Sequence, residues 1–136
     1  MQLNPYLNFN GCCEEAFRFY EKCFGGKIVA LLNHGETPMG AQVPPEWRKK
    51  IVHARLVVDG MILMGSDVPP ERYQKPAGFS VTIGIKEPVE AERIFKSLSE
   101  NGTVTMAIEQ TFWAWRFGML IDQFGIPWMI NCEKVA

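Results

Sequence analysis

Few side chains in this 136-residue chain are suited to chemistry, and the first of them is a histidine beside an arginine on one strand. His53 lies in the run Ile51-Val52-His53-Ala54-Arg55-Leu56-Val57 and shares strand parity with Arg55, Val57 and Asp59. An imidazole there can take or release a proton near neutral pH, or hold an anionic group. It can equally be a structural residue satisfied by its neighbours, and both uses stay open. Glu109 and Asp67 are the other acid–base candidates. Arg55 and Arg116 are candidate anion binders, because a guanidinium fork matches the oxygens of a carboxylate or phosphonate. Pairing with Asp59, Asp67 or Glu109 is their alternative use. His34 falls in an irregular stretch and is expected to be solvated. The cysteines Cys12, Cys13, Cys23 and Cys132 show neither a disulfide framework nor C-x-x-C spacing, so buried thiols are expected, with Cys13 packed inertly on a helix. No Walker loop, nucleophile elbow, dinucleotide fingerprint or His-Glu-x-x-His run occurs.

Composition narrows the partners. The formal net charge is -1 with acids and bases interspersed, so no basic stripe is available to track a nucleic-acid backbone. No apolar run approaches the roughly 18 residues of a membrane span, and the N-terminus lacks a signal-peptide pattern. A soluble, cytoplasmic protein folded as a single domain over residues 1–136 is the expectation.

The elements that must position these residues come in two passes. Residues 3–9 alternate, with Asn4, Tyr6 and Asn8 on one face and Leu3, Leu7 and Phe9 on the other, which predicts a half-buried strand. Residues 12–24 switch to helical period through Cys13, Ala16, Phe17, Tyr20 and Phe24, and Gly25-Gly26 stops them. A strand over 27–32, an irregular stretch over 33–50 and two strands about the turn Asp59-Gly60 complete the pass. After a proline-rich linker at about 68–78, a strand over 79–85, a helix opened by Pro88 and closed by Gly102, and strands at about 103–108, 115–122 and 126–133 follow the same order. Laid over each other, Ala54 to Met64 and Phe117 to Met129 place Asp59 on Asp122, Gly60 on Gly125 and Met64 on Met129. This overlay also sets His53 on Arg116. A duplicated module is implied, with module one over about 2–67 and module two over about 79–133. Phe112, Trp113 and Trp115, before and within the seventh strand, are suited to a cavity wall, a subunit seam or the core.

The order of elements resembles the vicinal oxygen chelate superfamily of glyoxalase I, bleomycin-resistance proteins and extradiol dioxygenases. The segments Pro5-Tyr6-Leu7-x-Phe9-x-Gly11, Glu15-Ala16, Phe19-Tyr20, Phe24-Gly25-Gly26, His53-Ala54-Arg55-Leu56, Ser66-Asp67, Thr111-Phe112-Trp113-Ala114 and Phe124-Gly125-x-x-Trp128-Met129-Ile130-Asn131 resemble its PhnB-like branch. The resemblance implies an α+β fold of two βαβββ modules, a glyoxalase-like pair of half-barrels with the helices outside, a ligand cavity on the concave faces, and a homodimer. Metal-dependent members hold a divalent ion at positions that fall near Asn4, Met64, Ser80 and Met129. Those residue types are poor ligands for such ions, so neither a metal nor another cofactor is expected. A 3-demethylubiquinone methyltransferase label also attaches to relatives of this kind, yet no Gly-rich loop of the S-adenosylmethionine type follows the first strand.

Parity then suggests the ligand-facing side chains. In module one they are Tyr6, Asn8, His53, Arg55, Met64 and Ser66. In module two they are Ser80, Thr82, Arg116, Met129 and Asn131. Two readings follow: a metal-free protein binding a small organic ligand, or an enzyme applying acid–base chemistry from His53, Glu109 or Asp67 to a small carbonyl, aromatic or phosphonate compound.

Overall fold

The computed structural model describes residues 1–134, which form two compact units that meet in sequence at Gln74 and Lys75, inside the proline-rich stretch. Each unit is a βαβββ module. In module one the strands are β1 (Tyr6–Phe9), β2 (Lys27–Asn33), β3 (Ile51–Val58) and β4 (Met61–Asp67), with α1 (Cys13–Phe24) after β1. Their order across the sheet is β1-β4-β3-β2, parallel only between β1 and β4.

The helix forms because its apolar residues recur at helical spacing: Cys13, Ala16, Phe17, Tyr20 and Cys23 are buried, and Glu14 and Glu15 suit the positive end of the helix dipole. Against this stripe the sheet sets Leu7, Phe9, Ala54, Leu56 and Leu63. Burying each large apolar side chain contributes roughly 1.5–3 kcal/mol. β1 begins later than the alternation predicts, because Pro5 has no N–H for the ladder and offers only its carbonyl, to Met64 N at 3.2 Å. Asp59 and Gly60 have φ of 50° and 78°, the left-handed pair that a tight two-residue hairpin requires.

The stretch after β2 is more ordered than its lack of period suggests. Three short 3-10 turns, His34–Glu36, Pro38–Gln42 and Pro45–Trp47, are held by a reciprocal cap between Asn33 and Glu36 and by Thr37. His34 is not solvated, as expected from its loop position, but only 9% exposed. Its backbone N–H donates to Lys50 O, its ring meets Trp47 edge-on at 6.4 Å, and Gly40 packs so close over the His34 carbonyl that a Cβ would sit 2.8 Å from the oxygen.

Module two comprises β5 (Val81–Gly84), α2 (Pro88–Leu98), β6 (Thr103–Glu109), β7 (Ala114–Ile121) and β8 (Pro127–Glu133), ordered β5-β8-β7-β6. Pro88 opens α2 at a position where its missing N–H costs nothing, and Ala91, Ile94, Phe95 and Leu98 are buried. Trp128, Leu120 and Ile130 are buried on the sheet. Among the described residues no helix is long and apolar enough to cross a membrane.

Candidate binding face

In module one the strand face turned away from α1 is defined by the opposite face. A Cβ at Gly65 would meet Phe17 of α1 at 2.8 Å, so Met64 and Ser66 on either side of it point the other way. Met64 pairs with Tyr6 on one side and Arg55 on the other, and Arg55 pairs onward with Ala30. Asn8 lies opposite Ser66, and Leu32 opposite His53. Tyr6, His53, Arg55, Met64 and Ser66 are thereby brought together on one sheet face, as strand parity predicts.

The contacts on this face are sparse and polar over an apolar floor. Tyr6 Oη lies 3.4 Å from His53 Nδ1, their rings 6.0 Å apart and inclined by 30°. In the Nε2–H tautomer the phenol donates to Nδ1, which leaves the Nε2–H as a donor; in the other tautomer Nδ1–H donates to the phenol oxygen. Arg55 Nη2 reaches Met64 Sδ at 3.7 Å, a weak acceptor, and its Nε is enclosed without a partner. An unsatisfied enclosed donor costs roughly 1–3 kcal/mol. Neither Asp59 nor Asp67 pairs with Arg55, and among the described residues Arg55 forms no ion pair.

Asp67 has a different occupation from the acid–base role considered for it. It is 5% exposed, and its two oxygens accept from the backbone N–H groups of Cys13 and Ile51, each at 2.9 Å. It caps α1 and ties down the start of β3, because Cys12 supplies no side-chain cap. Burial, and then the Asp67 carboxylate, push the Cys13 thiol well above the usual thiol range. Cys13, Cys23 and Cys132 are buried, Cys12 is half-buried, and none of them is in a disulfide.

The corresponding face of module two carries different chemistry. Thr82 pairs with Met129 and Met129 with Met119, while Gly84 pairs with Asn131 and Asn131 with Phe117. The Thr82 hydroxyl lies 3.6 Å from Met129 Sδ. Asn131 Nδ2 is 3.3 Å from Glu133 Oε1, and its Oδ1 is buried without a partner. Ser80 stands half-buried just before β5, and Glu109 is exposed at the end of β6 opposite Phe117. Met64 and Met129 do hold equivalent places, each on the last strand opposite the first.

Arg116 departs from its expected place. Its Nε donates to Glu92 Oε1 of α2 at 2.7 Å and its Nη1 to Trp115 O at 2.6 Å, so it lies on the helix side of the sheet. The register explains why. Arg55 opposite Met64 corresponds to Met119 opposite Met129, so His53 corresponds to Phe117 and not to Arg116. On β7 the overlay through Asp59 and Asp122 is one residue out of step, and a one-residue slip exchanges the two faces of a strand. Aligning Ala54 with Gly118, the small residues that face the helices, would have revealed this.

The positions implied for a divalent ion do not fit one. Asn4, Met64, Ser80 and Met129 offer an amide, a hydroxyl and two soft thioethers, and the Met64 sulfur already faces the Arg55 guanidinium. No cluster of three or more His, Cys, Asp or Glu side chains with ligand spacing exists among the described residues.

Two features escape the sequence reading. A β-bulge between Ile28 and Ala30 hides the parity by which Ala30 and Leu32 extend the module-one face. A cleft of about 340 Å³ opens at the N-terminal end of α1, lined by Gly11, Cys12, Glu14, Glu15, Arg18, Lys49, Lys50, Ile51 and Asp67, away from the face that carries Arg55. The aromatic group is not core: Phe112, Trp113 and Trp115 are 89%, 42% and 43% exposed.

Comparison with known proteins places these observations. The profile of the family described as 3-demethylubiquinone-9 3-methyltransferase matches residues 1–131. The chain is 35% identical over 142 residues to Protein YjdN of Escherichia coli, covering 98% of this chain and 97% of that protein. The crystal structure of protein PA1353 from Pseudomonas aeruginosa is similar at 45% identity with a TM-score of 0.90, covering 99% of each chain. A PhnB protein from Bacillus cereus matches with a TM-score of 0.79 at 24% identity, over 97% of this chain and 99% of that one. A glyoxylase/bleomycin resistance protein/dioxygenase domain from Frankia shares the fold, with a TM-score of 0.65 at 9% identity over 98% of this chain and 95% of that one.

Proposed function

We propose, from the premise that the chain belongs to the family described as 3-demethylubiquinone-9 3-methyltransferase, a PhnB-like branch of the glyoxalase fold, that it binds a small organic ligand on the module-one face without a metal ion. The observation that carries this reading is the row Tyr6, Met64, Arg55, in which a phenol and a guanidinium with unspent hydrogen-bonding capacity flank a flexible thioether. Asn8 and Ser66 extend the polar part of the same face. Thr82, Met129 and Asn131, with Ser80, form a second and less charged face on module two, and we assign it apolar contact. Methyl transfer, which the family description names, lacks support here because no Gly-rich loop follows β1.

The hydrogen bond between Tyr6 and His53 favours a second reading, in which His53 serves as acid or base toward a small carbonyl, aromatic or phosphonate compound. Glu109 has no contact that directs it to this role. A homodimer is part of the proposal, supported by the exposed Phe112, Trp113 and Trp115, which offer large apolar area at low entropy cost. Fragment soaks of crystals with small neutral and charged aromatic compounds test the binding reading. It predicts a fragment within contact of Tyr6, His53 and Met64; fragments seated only in the cleft beside Lys49 and Glu15 would overturn it.

A further inference from the structure

We propose that Arg55 is the anion-recognising residue of the module-one face, and that the ligand is a small organic acid with one oxyanion head group; this rests on the reading that the face binds a ligand. The guanidinium is a charge without a counter-charge. Arg18, Arg93 and Arg116 are each paired with a glutamate; Arg48, Arg55 and Arg72 form no ion pair among the described residues, but Arg48 Nε donates to Gly40 O and Arg72 is exposed, whereas Arg55 Nε is enclosed without a partner. Asp67 cannot serve, because both its oxygens are taken by backbone amides. Among the residues registered about Arg55 on this face, Tyr6, Ala30, His53, Met64 and Ser66, none is acidic.

What Arg55 does touch is a poor substitute for an oxyanion. Its Nη2 meets the Met64 sulfur at 3.7 Å, and a thioether is a weak acceptor that a charged oxygen displaces. Met64 is unbranched and can turn aside, so the exchange asks little of the sheet. One fork takes one planar or tetrahedral head group bidentately. Lys27, the other cation of this face, lies at the strand end opposite Val57 and raises the local potential without completing a second fork. Tyr6 and His53 then present a hydrogen-bonding pair for a second polar group on the ligand, while Leu32 and Met64 take its apolar body. In module two the residue equivalent to Arg55 is Met119, so this charge belongs to module one alone.

Isothermal titration of the full chain with benzoate, phenylphosphonate and benzamide tests the assignment. Expected is binding of one or both acids, at least tenfold tighter than benzamide, with about a tenfold or greater loss in Arg55→Met and a smaller loss in Arg55→Lys, which keeps the charge but not the fork. Preference between benzoate and phenylphosphonate identifies the head group. Benzamide binding as tightly as the acids, or undiminished acid binding by a folded Arg55→Met, would overturn the role of Arg55 and leave the binding face standing. Failure of all three compounds to bind overturns both. A melting curve for each variant separates lost recognition from lost fold, and Arg55→Lys serves if Arg55→Met does not fold.

Discussion

The two modules share an order of elements, and the difference that sets which side chains face the helix lies at their second hairpin. In module one Val58 pairs with Met61 across Asp59-Gly60, whereas in module two Ile121 pairs with Pro127 across a longer connection in which Asp122 does the organising. Asp122 is 3% exposed; its Oδ1 accepts from the N–H groups of Phe124 and Ile126, and its Oδ2 from Trp128 Nε1 at 2.8 Å. The extra length shifts β7 by one residue relative to β3. That shift decides chemistry, because it sends Arg116 to Glu92 on the helix side while Arg55 stays on the face away from α1. The glycines follow the same logic. Phe17 of α1 packs against Gly65 on β4, whereas Phe95 of α2 packs against Gly118 on β7, so each module makes room for its helix aromatic on a different strand. Opposite them stand Ala54 and Ile130, the reciprocal small and large choice.

The largest expected effect lies at the hairpins. Asp122→Ala removes the carboxylate acceptor from two buried donors and one part-buried donor and should cost about 3 kcal/mol or more in urea unfolding, whereas Asp59→Ala, in an exposed turn, should cost about 1 kcal/mol. Equal losses would break the comparison. Next come the glycines: Gly65→Ala drives a Cβ to 2.8 Å from both Leu7 O and Phe17 Cε1, and Gly118→Ala drives one to 2.6 Å from Phe95 Cε2. Each should lower stability by about 1–3 kcal/mol, against about 0.5–1 kcal/mol for Ala54→Gly.

A pH-dependent effect belongs to module one. The folded Cys13 thiol has its pKa raised, so its contribution is fully present below the unfolded thiol's pKa of about 8.5 and is lost as pH rises above it. Stability should fall by up to about 1.4 kcal/mol per pH unit beyond that point, and the fall should be shallower in Cys13→Ala, as urea midpoints at several alkaline pH values will show. Smallest is Arg116→Ala. Its side chain and that of Glu92 are 32% and 50% exposed, so losing the pair should cost under about 1 kcal/mol and leave benzoate affinity unchanged by titration calorimetry.

Much of this is legible in the sequence where local signals agree. Pro88 with the stripe Ala91, Ile94, Phe95 and Leu98 announces α2, and Asp59-Gly60 announces its hairpin, because one residue type satisfies both backbone and packing there. The parts of the module-one face on β1, β3 and β4 follow from alternation, whereas the bulge in β2 hides the part that Ala30 and Leu32 add. Arg116 is not legible, since its face depends on how many residues the Asp122 turn absorbs, and two aspartates invite alignment although they serve different turns. His34 is misplaced for a related reason: its burial comes from Trp47 and Gly40 folding over it, contacts that no period encodes. The role of Asp67 is hidden likewise, because the amide it caps at Cys13 is distant in sequence.

The central claim, that recognition resides on the module-one face through Arg55, is tested most directly by the two equivalent methionines. With ¹³C-methyl-labelled methionine, titration with benzoate should move the Met64 methyl signal saturably and by more than that of Met129, and the Met64 shift should vanish in Arg55→Met, which installs the residue module two carries. A larger shift at Met129, or a Met64 shift that survives in folded Arg55→Met, would contradict it.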